Sequence, residues 1–289
     1  MQLKTKRLLL SLFLAPVLFA ASLTAGSANE PETDLFGSDD NLEVAITAPW
    51  EELQRNEEYQ GAYPATIEFR APDGSVRTLP LTVERRGVKR QEACRFPPIK
   101  LRFNKSDIEG SLFQGEKSLK LVTHCQDADR YDQYYIIEMM AYRMYNQVTD
   151  YSFRVRPLTV NYIDADTGNE EPGRFAFVIE DDSDVAKRHD LKKLRIPKLR
   201  STMLEPALSS EFALFQYLIS NVDWAALSGP DPNECCHNVK LVGPEPLGPQ
   251  DFAFPLPYDF DSSGLVDARY AAAAHSLLSP SGRLASPGR

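Results

Sequence analysis

Alternating apolar and polar side chains mark the first half of the chain as strand-rich. Residues 65–70 and 76–85 alternate on either side of Ala71-Pro72-Asp73-Gly74, a strong turn signal. Shorter runs at 44–47, 99–103 and 119–122 look like further strands, so the N-terminal part is expected to be a mostly β unit. The period changes over 131–148, where Ile137, Met140, Ala141, Met144 and Val148 recur at helical spacing. Residues 154–164 and 174–180 then read as two strands joined by the polar, glycine-containing turn 166–173. The basic stretch 189–200 lacks a clean period and reads as a surface loop. Ser209 or Ser210 is placed to cap a helix over 211–220, with Phe212, Phe215, Leu218 and Ile219 inward. A Gly229-Pro230-Asp231-Pro232 loop and strand-like runs at 237–242 and 252–256 follow. The order predicts an α+β architecture with two lobes. A β-rich N-lobe covers 44–164, a mixed C-lobe covers 174–270, and the cleft lies between them.

The two ends differ from this pattern. Lys4, Lys6 and Arg7 precede an apolar run over 8–21, and Gly26-Ser27-Ala28 supplies small residues for cleavage, so 1–28 reads as a signal peptide. The run is too short to span a bilayer, and no membrane span is expected after cleavage. The mature protein is then expected to be exported, to the periplasm or outside the cell. Residues 29–43 form an acidic linker with Glu30, Glu32, Asp34, Asp39, Asp40 and Glu43. The Ala-, Ser-, Pro- and Gly-rich segment 271–289 reads as a disordered tail.

Composition narrows the partners. A formal charge of −9 and a pI near 5.1 argue against a nucleic-acid surface. An exported chain permits disulfides, and Cys94 with Cys125 is the favoured pair. Cys235 and Cys236 are adjacent, so each is expected to seek a distant partner rather than its neighbour. Sequence leaves the connectivity open. A zinc site on Cys235, Cys236 and His237 would not match structural zinc spacing.

Candidate chemistry gathers toward the C-terminal end. Asp223 directly follows an apolar helix, the rim position that suits a rigid catalytic carboxylate. Asn238 opens a strand, and its amide oxygen is a hard ligand suited to magnesium. Asp259 and Asp261 flank Phe260; in an extended segment they share a face, where a cation would relieve their repulsion. Positive charge comes from the N-terminal half. Arg86 and Gly87 end a strand, with Lys89 and Arg90 following, and a glycine there lets backbone approach an anion. Lys100 and Lys120 lie in strands and are both candidate phosphate lysines. Glu138, among Tyr134, Tyr135, Ala141 and Tyr142 on its helix, is the natural ion-pair partner of either lysine. The chain has no G-x-S-x-G, H-E-x-x-H, P-loop or G-x-G-x-x-G motif.

From residue 82 to residue 271 the chain resembles the CotH spore-coat kinase-like family. The likeness lies in Arg86-Gly87, in Pro97-Pro98-Ile99-Lys100-Leu101, and in Lys120-Leu121-Val122-Thr123-His124-Cys125-Gln126-Asp127 with the Glu138 helix. It continues in Asn221-Val222-Asp223 and Tyr258-Asp259-Phe260-Asp261. The resemblance implies a two-lobed atypical protein-kinase-like fold, with ATP and Mg2+ as cofactors. It implies transfer of a phosphoryl group to a hydroxyl acceptor on a protein, with Asp223 catalytic and Asn238 and Asp259 holding magnesium. Two other readings stay open: a non-catalytic cell-envelope binding module on the same fold, and a metal-dependent hydrolase using the same carboxylates.

Overall fold

Seven strands close on themselves around the most extensive apolar core of the molecule. The computed structural model describes residues 34–56, 61–87, 94–229 and 235–268. The barrel strands are β1 (Leu42–Ala48), β2 (Tyr63–Arg70), β3 (Val76–Arg85), β4 (Ile99–Arg102), β5 (Ser118–Val122), β6 (Val155–Asp164) and β7 (Glu170–Ile179). Their order around the barrel is β1-β2-β3-β4-β5-β7-β6. All neighbours are antiparallel except β1 and β6, which run parallel from Leu42↔Leu158 to Ala48↔Asp164 and close the circuit.

The period-two pattern explains which faces turn inward. Val44, Ile46, Ile67, Phe69, Leu81, Val83, Leu101, Leu119 and Leu121 are buried, while their sequence neighbours are mostly half or fully exposed. Between β2 and β3 the Gly74 amide donates to the Ala71 carbonyl at 2.8 Å, and Gly74 takes the φ of +84° that the turn requires. A short helix, α1 (Trp50–Arg55), buries Trp50 and Leu53 in the same core. The Trp50 ring lies 5.2 Å from Tyr162 and 5.4 Å from Phe96, and its Nε1 donates to the Ile46 carbonyl.

A second layer packs on β5 to β7. It holds α2 (Asp132–Asn146), α3 (Asp182–Arg188) and α4 (Pro206–Leu218), with a small sheet in the order β10-β9-β8. Those strands are β8 (Lys192–Lys193), β9 (Val239–Gly243) and β10 (Phe254–Pro257). Pro255 and Pro257 lack an N–H, which fits the edge position of β10. Part of 189–200, expected as loop, is therefore paired strand: Lys192 and Lys193 face Gly243 and Val242.

The helices correct two expectations. α2 buries Tyr135, Glu138, Met139, Ala141, Tyr142 and Tyr145, and leaves Met140, Met144 and the following Val148 about half exposed. The aromatic face carries more apolar surface than the methionine stripe, and it wins the core. α4 starts earlier than a serine cap would allow. Glu205 caps it by accepting from the Leu208 amide, and Pro206 occupies the first turn, where its missing N–H costs nothing.

The two-lobed kinase-like α+β fold, with a β-rich N-lobe and a mixed C-lobe, is overturned. β6 and β7 pair with each other along their length, and β7 also pairs with β5. The expected lobe boundary between 164 and 174 cuts this hairpin, so strands assigned to opposite lobes belong to one closed sheet. Among the described residues only four helices are present, and three of them are short or of modest length beside the barrel. Closure removes both sheet edges, a gain that no local pattern encodes. The acidic linker is also shorter than 29–43, because Leu35 and Phe36 are buried in the barrel core and Leu42 opens β1. The segments 1–28 and 271–289, read as signal peptide and tail, lie outside the described residues, as do Lys89 and Arg90. No helix among the described residues is long and apolar enough to cross a membrane.

Candidate functional site

The site begins where α4 stops. Ile219 is buried, Ser220 turns left-handed at φ +52°, and Asn221 is buried with its amide donating to the Gln216 carbonyl at 2.9 Å. The Asn221 side-chain oxygen accepts from the Asp223 amide at 3.0 Å, and the Asn221 carbonyl accepts from Trp224 Nε1 at 3.1 Å. Asn-Val-Asp-Trp is thus an Asx turn that fixes Asp223 just beyond a packed helix. Trp224 is held in place against Phe212, 4.9 Å away.

Two neighbouring residues then grip the Asp223 carboxylate. A two-way backbone bridge joins Ala225 to His237. His237 Nε2 lies 2.9 Å from Asp223 Oδ1. Asn238 Nδ2 donates to the Asp223 carbonyl at 2.7 Å and to Oδ2 at 3.2 Å. The Asn238 carbonyl accepts from the Tyr258 amide at 3.1 Å, and the next amide, of Asp259, donates to the Tyr142 hydroxyl at 2.9 Å. A single hydrogen-bonded run therefore joins Asp223, Asn238 and the Tyr258–Asp259 segment. Asn238 and Asp259 both have positive φ, +52° and +64°, a region that asparagine and aspartate tolerate better than other side chains. Phe260 anchors the segment in the core against Tyr142 and Phe215.

Asp261 does not sit as the sequence suggested. The left-handed Asp259 breaks the extended run, and the Ser263 amide donates to the Phe260 carbonyl, closing a turn. Strand alternation therefore no longer relates the two carboxylates. Asp261 is buried and accepts from the Ser262 hydroxyl at 3.2 Å. Behind this turn, Gly264 approaches Ser220 so closely that an added Cβ would sit 2.8 Å from the Ser220 Cβ, tying the segment to the end of α4.

Cations collect around Tyr258. Arg86 donates to the Tyr258 hydroxyl at 3.0 Å. Lys120 Nζ lies 4.9 Å from the Tyr258 ring centre and 5.5 Å from that of Phe153, and Lys240 Nζ is 5.6 Å from Tyr258. Lys120 Nζ is buried and makes no hydrogen bond, so the expected Lys120–Glu138 ion pair gives way to aromatic faces. Burial lowers the Lys120 pKa against the attraction of Asp182 and Asp181. Lys100, opposite Lys120 on β4, is also pushed down, by burial and then by Arg102. Burial would raise Asp181, but hydrogen bonds from the Ser183 hydroxyl and amide hold it at about 2. Glu138 is buried on the α2 face that carries Tyr142; burial, then Tyr258, Glu138 and Asp259, push the Tyr142 hydroxyl well up. Gly87, at φ +78°, ends the described part of its loop.

A cleft of 760 Å3 opens between the β4–β5 side of the barrel and the α3–β8 segment. It is lined by Arg102, Lys117, Asp181, Asp184, Lys187 and Lys192 among others, a size within the range of small-molecule sites. Asp182 and Lys193, paired at 2.7 Å, line a smaller adjoining cavity that reaches Lys240.

Among the described residues no three His, Cys, Asp or Glu side chains gather as a metal cage. A divalent ion here would lean on one carboxylate and an amide oxygen, with phosphates or water completing its shell, which is how magnesium is usually held. Asn238 fits that role, since its Nδ2 is spent on Asp223 and its Oδ1 is the remaining donor. Sequence reasoning missed His237 as the partner of Asp223; fourteen residues separate them, and only the Ala225–His237 bridge brings them together. It also missed the bond between Cys235 and Cys236, while Cys94 and Cys125 form the favoured disulfide at 2.05 Å.

No family model, no curated protein and no solved structure matches the chain. The resemblance to the CotH family thus rests on the motif residues alone.

Proposed function

We propose that the protein is an exported phosphotransferase that moves a phosphoryl group from Mg-ATP to a hydroxyl acceptor on a protein. The observation that carries the reading is the hydrogen-bonded run from Asp223 through Asn238 to Tyr258, the residue before Asp259, set against Arg86 and the buried Lys120 Nζ at Tyr258. Asp223 would orient the acceptor hydroxyl and take its proton, with His237 fixing the carboxylate. Asn238 and Asp259 would hold magnesium, which bridges and neutralises phosphates when bound. Lys120 and Arg86 would meet the remaining phosphate charge. Catalysis of this kind is positioning and charge neutralisation, and it needs rigid carboxylates rather than a particular fold.

The test is labelled ATP with magnesium and the purified chain, comparing wild type with Asp259→Ala and Asp223→Asn. Transfer should fall by a factor on the order of 10² to 10⁴ for Asp223→Asn, the range for loss of a positioned base. Equal labelling in wild type and Asp259→Ala removes the proposal.

One observation favours a second reading, a binding module without catalysis. Both oxygens of Asp223 are already engaged, by His237 and Asn238. Thermal stabilisation by Mg-ATP with no transfer to any acceptor would select this reading.

A further inference from the structure

Cys235 and Cys236 are bonded to each other, directly before the two residues that grip Asp223. We propose that this vicinal disulfide is a thiol–disulfide exchange site for dithiols, and that its oxidation state sets the geometry of the Asp223 pocket. The exchange stands on the observations below alone; its consequence for nucleotide binding rests on the phosphotransfer reading.

Three observations carry the inference. The first is backbone geometry. Cys236 has a φ of +89° and Asn238 a φ of +52°, on either side of His237. Cysteine has no preference for that region, and the small ring made by bonding to its neighbour is what holds it there. Opening the ring frees Cys236 to return to negative φ. The backbone turn that presents His237 Nε2 and Asn238 Nδ2 to Asp223 is then lost.

The second is access. Cys236 is half-buried, and Cys235 is 6% exposed. The other disulfide, Cys94–Cys125, is buried at both sulfurs' residues, and the Cys125 amide is bonded to the core hydroxyl of Tyr135. An incoming thiolate therefore meets Cys236 first.

The third is charge. The pair lines an 80 Å3 cavity together with Arg195 and Lys240, and with Lys193, whose charge is paired to Asp182 in the same lining. Cations beside a sulfur stabilise its thiolate and make it a better leaving group. In the exchange, one thiolate of the dithiol attacks Cys236 Sγ, the vicinal bond breaks, and its electron pair leaves with Cys235 as a thiolate. The second thiolate of the reductant then attacks the mixed disulfide at its own sulfur and expels Cys236. The reductant becomes a cyclic or intramolecular disulfide, and the pair gains two electrons and two protons.

The experiment uses the full chain and dithiothreitol. Samples quenched by alkylation over time are mapped by peptide mass spectrometry, and Trp224 emission is followed in parallel. Cys235 and Cys236 should label at least about tenfold faster than Cys94 and Cys125. The tryptophan emission change should follow the same time course, because Trp224 sits on the Asn221–Asp223 turn while Trp50 is locked in the barrel. The double variant Cys235→Ser with Cys236→Ser should show the reduced spectrum without reductant, and oxidised dithiothreitol should restore the original spectrum in wild type only. Faster labelling of Cys94 and Cys125, or an unchanged Trp224 spectrum in both the reduced protein and the double variant, overturns the proposal. Mg-ATP binding, measured by thermal shift, should weaken roughly tenfold on reduction, the usual effect of losing support behind a metal ligand. If the oxidised chain shows no Mg-ATP stabilisation, the phosphotransfer reading fails, while labelling rates and Trp224 emission still decide the exchange site.

Discussion

The barrel and the layer that packs on it obey different rules. In the barrel, inward positions are mostly Val, Ile, Leu and Phe, β1 to β4 alternate, and the positive φ of the β2–β3 turn belongs to Gly74. In the second layer, positive φ falls on Ser220, Cys236, Asn238 and Asp259, all carrying side chains. Buried polar groups without a hydrogen bond do not follow this divide. Lys120 Nζ on β5 and Arg86 Nε just after β3 are buried beside Tyr258 without a hydrogen bond, and so is a barrel group, the Tyr162 hydroxyl. Each such departure costs about 1–3 kcal/mol, and strained backbone clusters where a chain holds groups for a ligand rather than for stability. The comparison teaches that the strained backbone of the site lies in the second layer, while the cations that face it come from the barrel, on β5 and just after β3.

The sharpest way to break the comparison is to damage the barrel alone. Leu121 is fully buried on β5, one residue beyond Lys120 and facing the opposite way. Leu121→Ala should destabilise by about 2–5 kcal/mol, read as a lower denaturation midpoint with little change in the slope. If the second layer drew its geometry from the barrel core, Mg-ATP stabilisation would vanish too; it should persist while the variant stays folded.

A buried acid where the barrel meets α3 tests the same division by pH. Glu116 is 7% exposed, its Oε2 has no hydrogen bond, and it faces Asp184, Glu180 and Asp34, with Arg154 as the nearby cation. Burial, then Asp184 and Glu180, raise its pKa to about 8. The folded state therefore holds a proton that the unfolded chain releases near the ordinary value of about 4.3. Stability from this group is complete below that value and falls as pH climbs through about 8. Glu116→Gln copies the protonated form. It should match wild type in acid and exceed it by about 2–4 kcal/mol near pH 9, measured by denaturation at both pH values. A constant difference across pH would show that Glu116 is ionised in the folded chain.

How much of this was legible follows the same divide. β3 was readable to its ends, because 76–85 alternates and a turn signal precedes it. β7 was readable only from Arg174, since Glu170 to Gly173 are polar or turn-like and become strand only by pairing with β6. Barrel closure was invisible: the β1–β6 pairing joins residues more than a hundred positions apart. On α2 both faces carry apolar residues, and periodicity alone could not rank three tyrosines above a methionine stripe. Asp223, Asn238 and Asp259 stood out as residue types; hydrogen bonds link Asp223 to Asn238 and Asn238 to Tyr258, while the Asp259 amide turns to Tyr142. The grip of His237 and the aromatic seat of Lys120 depend on tertiary contacts that no spacing records.

Lys120 sharpens the comparison from the barrel side, where β5 faces Tyr258 of the second layer. An amine buried without a hydrogen bond is a cost to folding, and burial has already lowered its pKa. Lys120→Met keeps an unbranched apolar stem and removes the charge that lies over Phe153 and Tyr258. It should stabilise the chain by about 1–2 kcal/mol and weaken Mg-ATP binding at the same time. Thermal denaturation with and without Mg-ATP reads both effects in one experiment. A variant that loses stability would place Lys120 among the structural groups and leave the phosphates to Arg86 and its neighbours.

The smallest effect sits at the helix that precedes Asp223. Glu205 accepts the Leu208 amide and opens α4 ahead of Pro206, so the cap lies a full helix away from the site. Glu205→Ala should cost about 1 kcal/mol of stability, the usual worth of a side-chain cap. The Asn221–Asp223 turn is held by Gln216, by the Ala225–His237 bridge and by the Ser220–Gly264 contact, all at the other end of the helix. Mg-ATP binding should therefore stay within twofold or so of wild type, since sites more than about 7–10 Å apart with no shared partners act independently. A larger loss would mean that α4 moves as a rigid rod and transmits its N-terminal fraying to Asp223. The strain in the second layer would then be supported along the whole helix, not locally at its end.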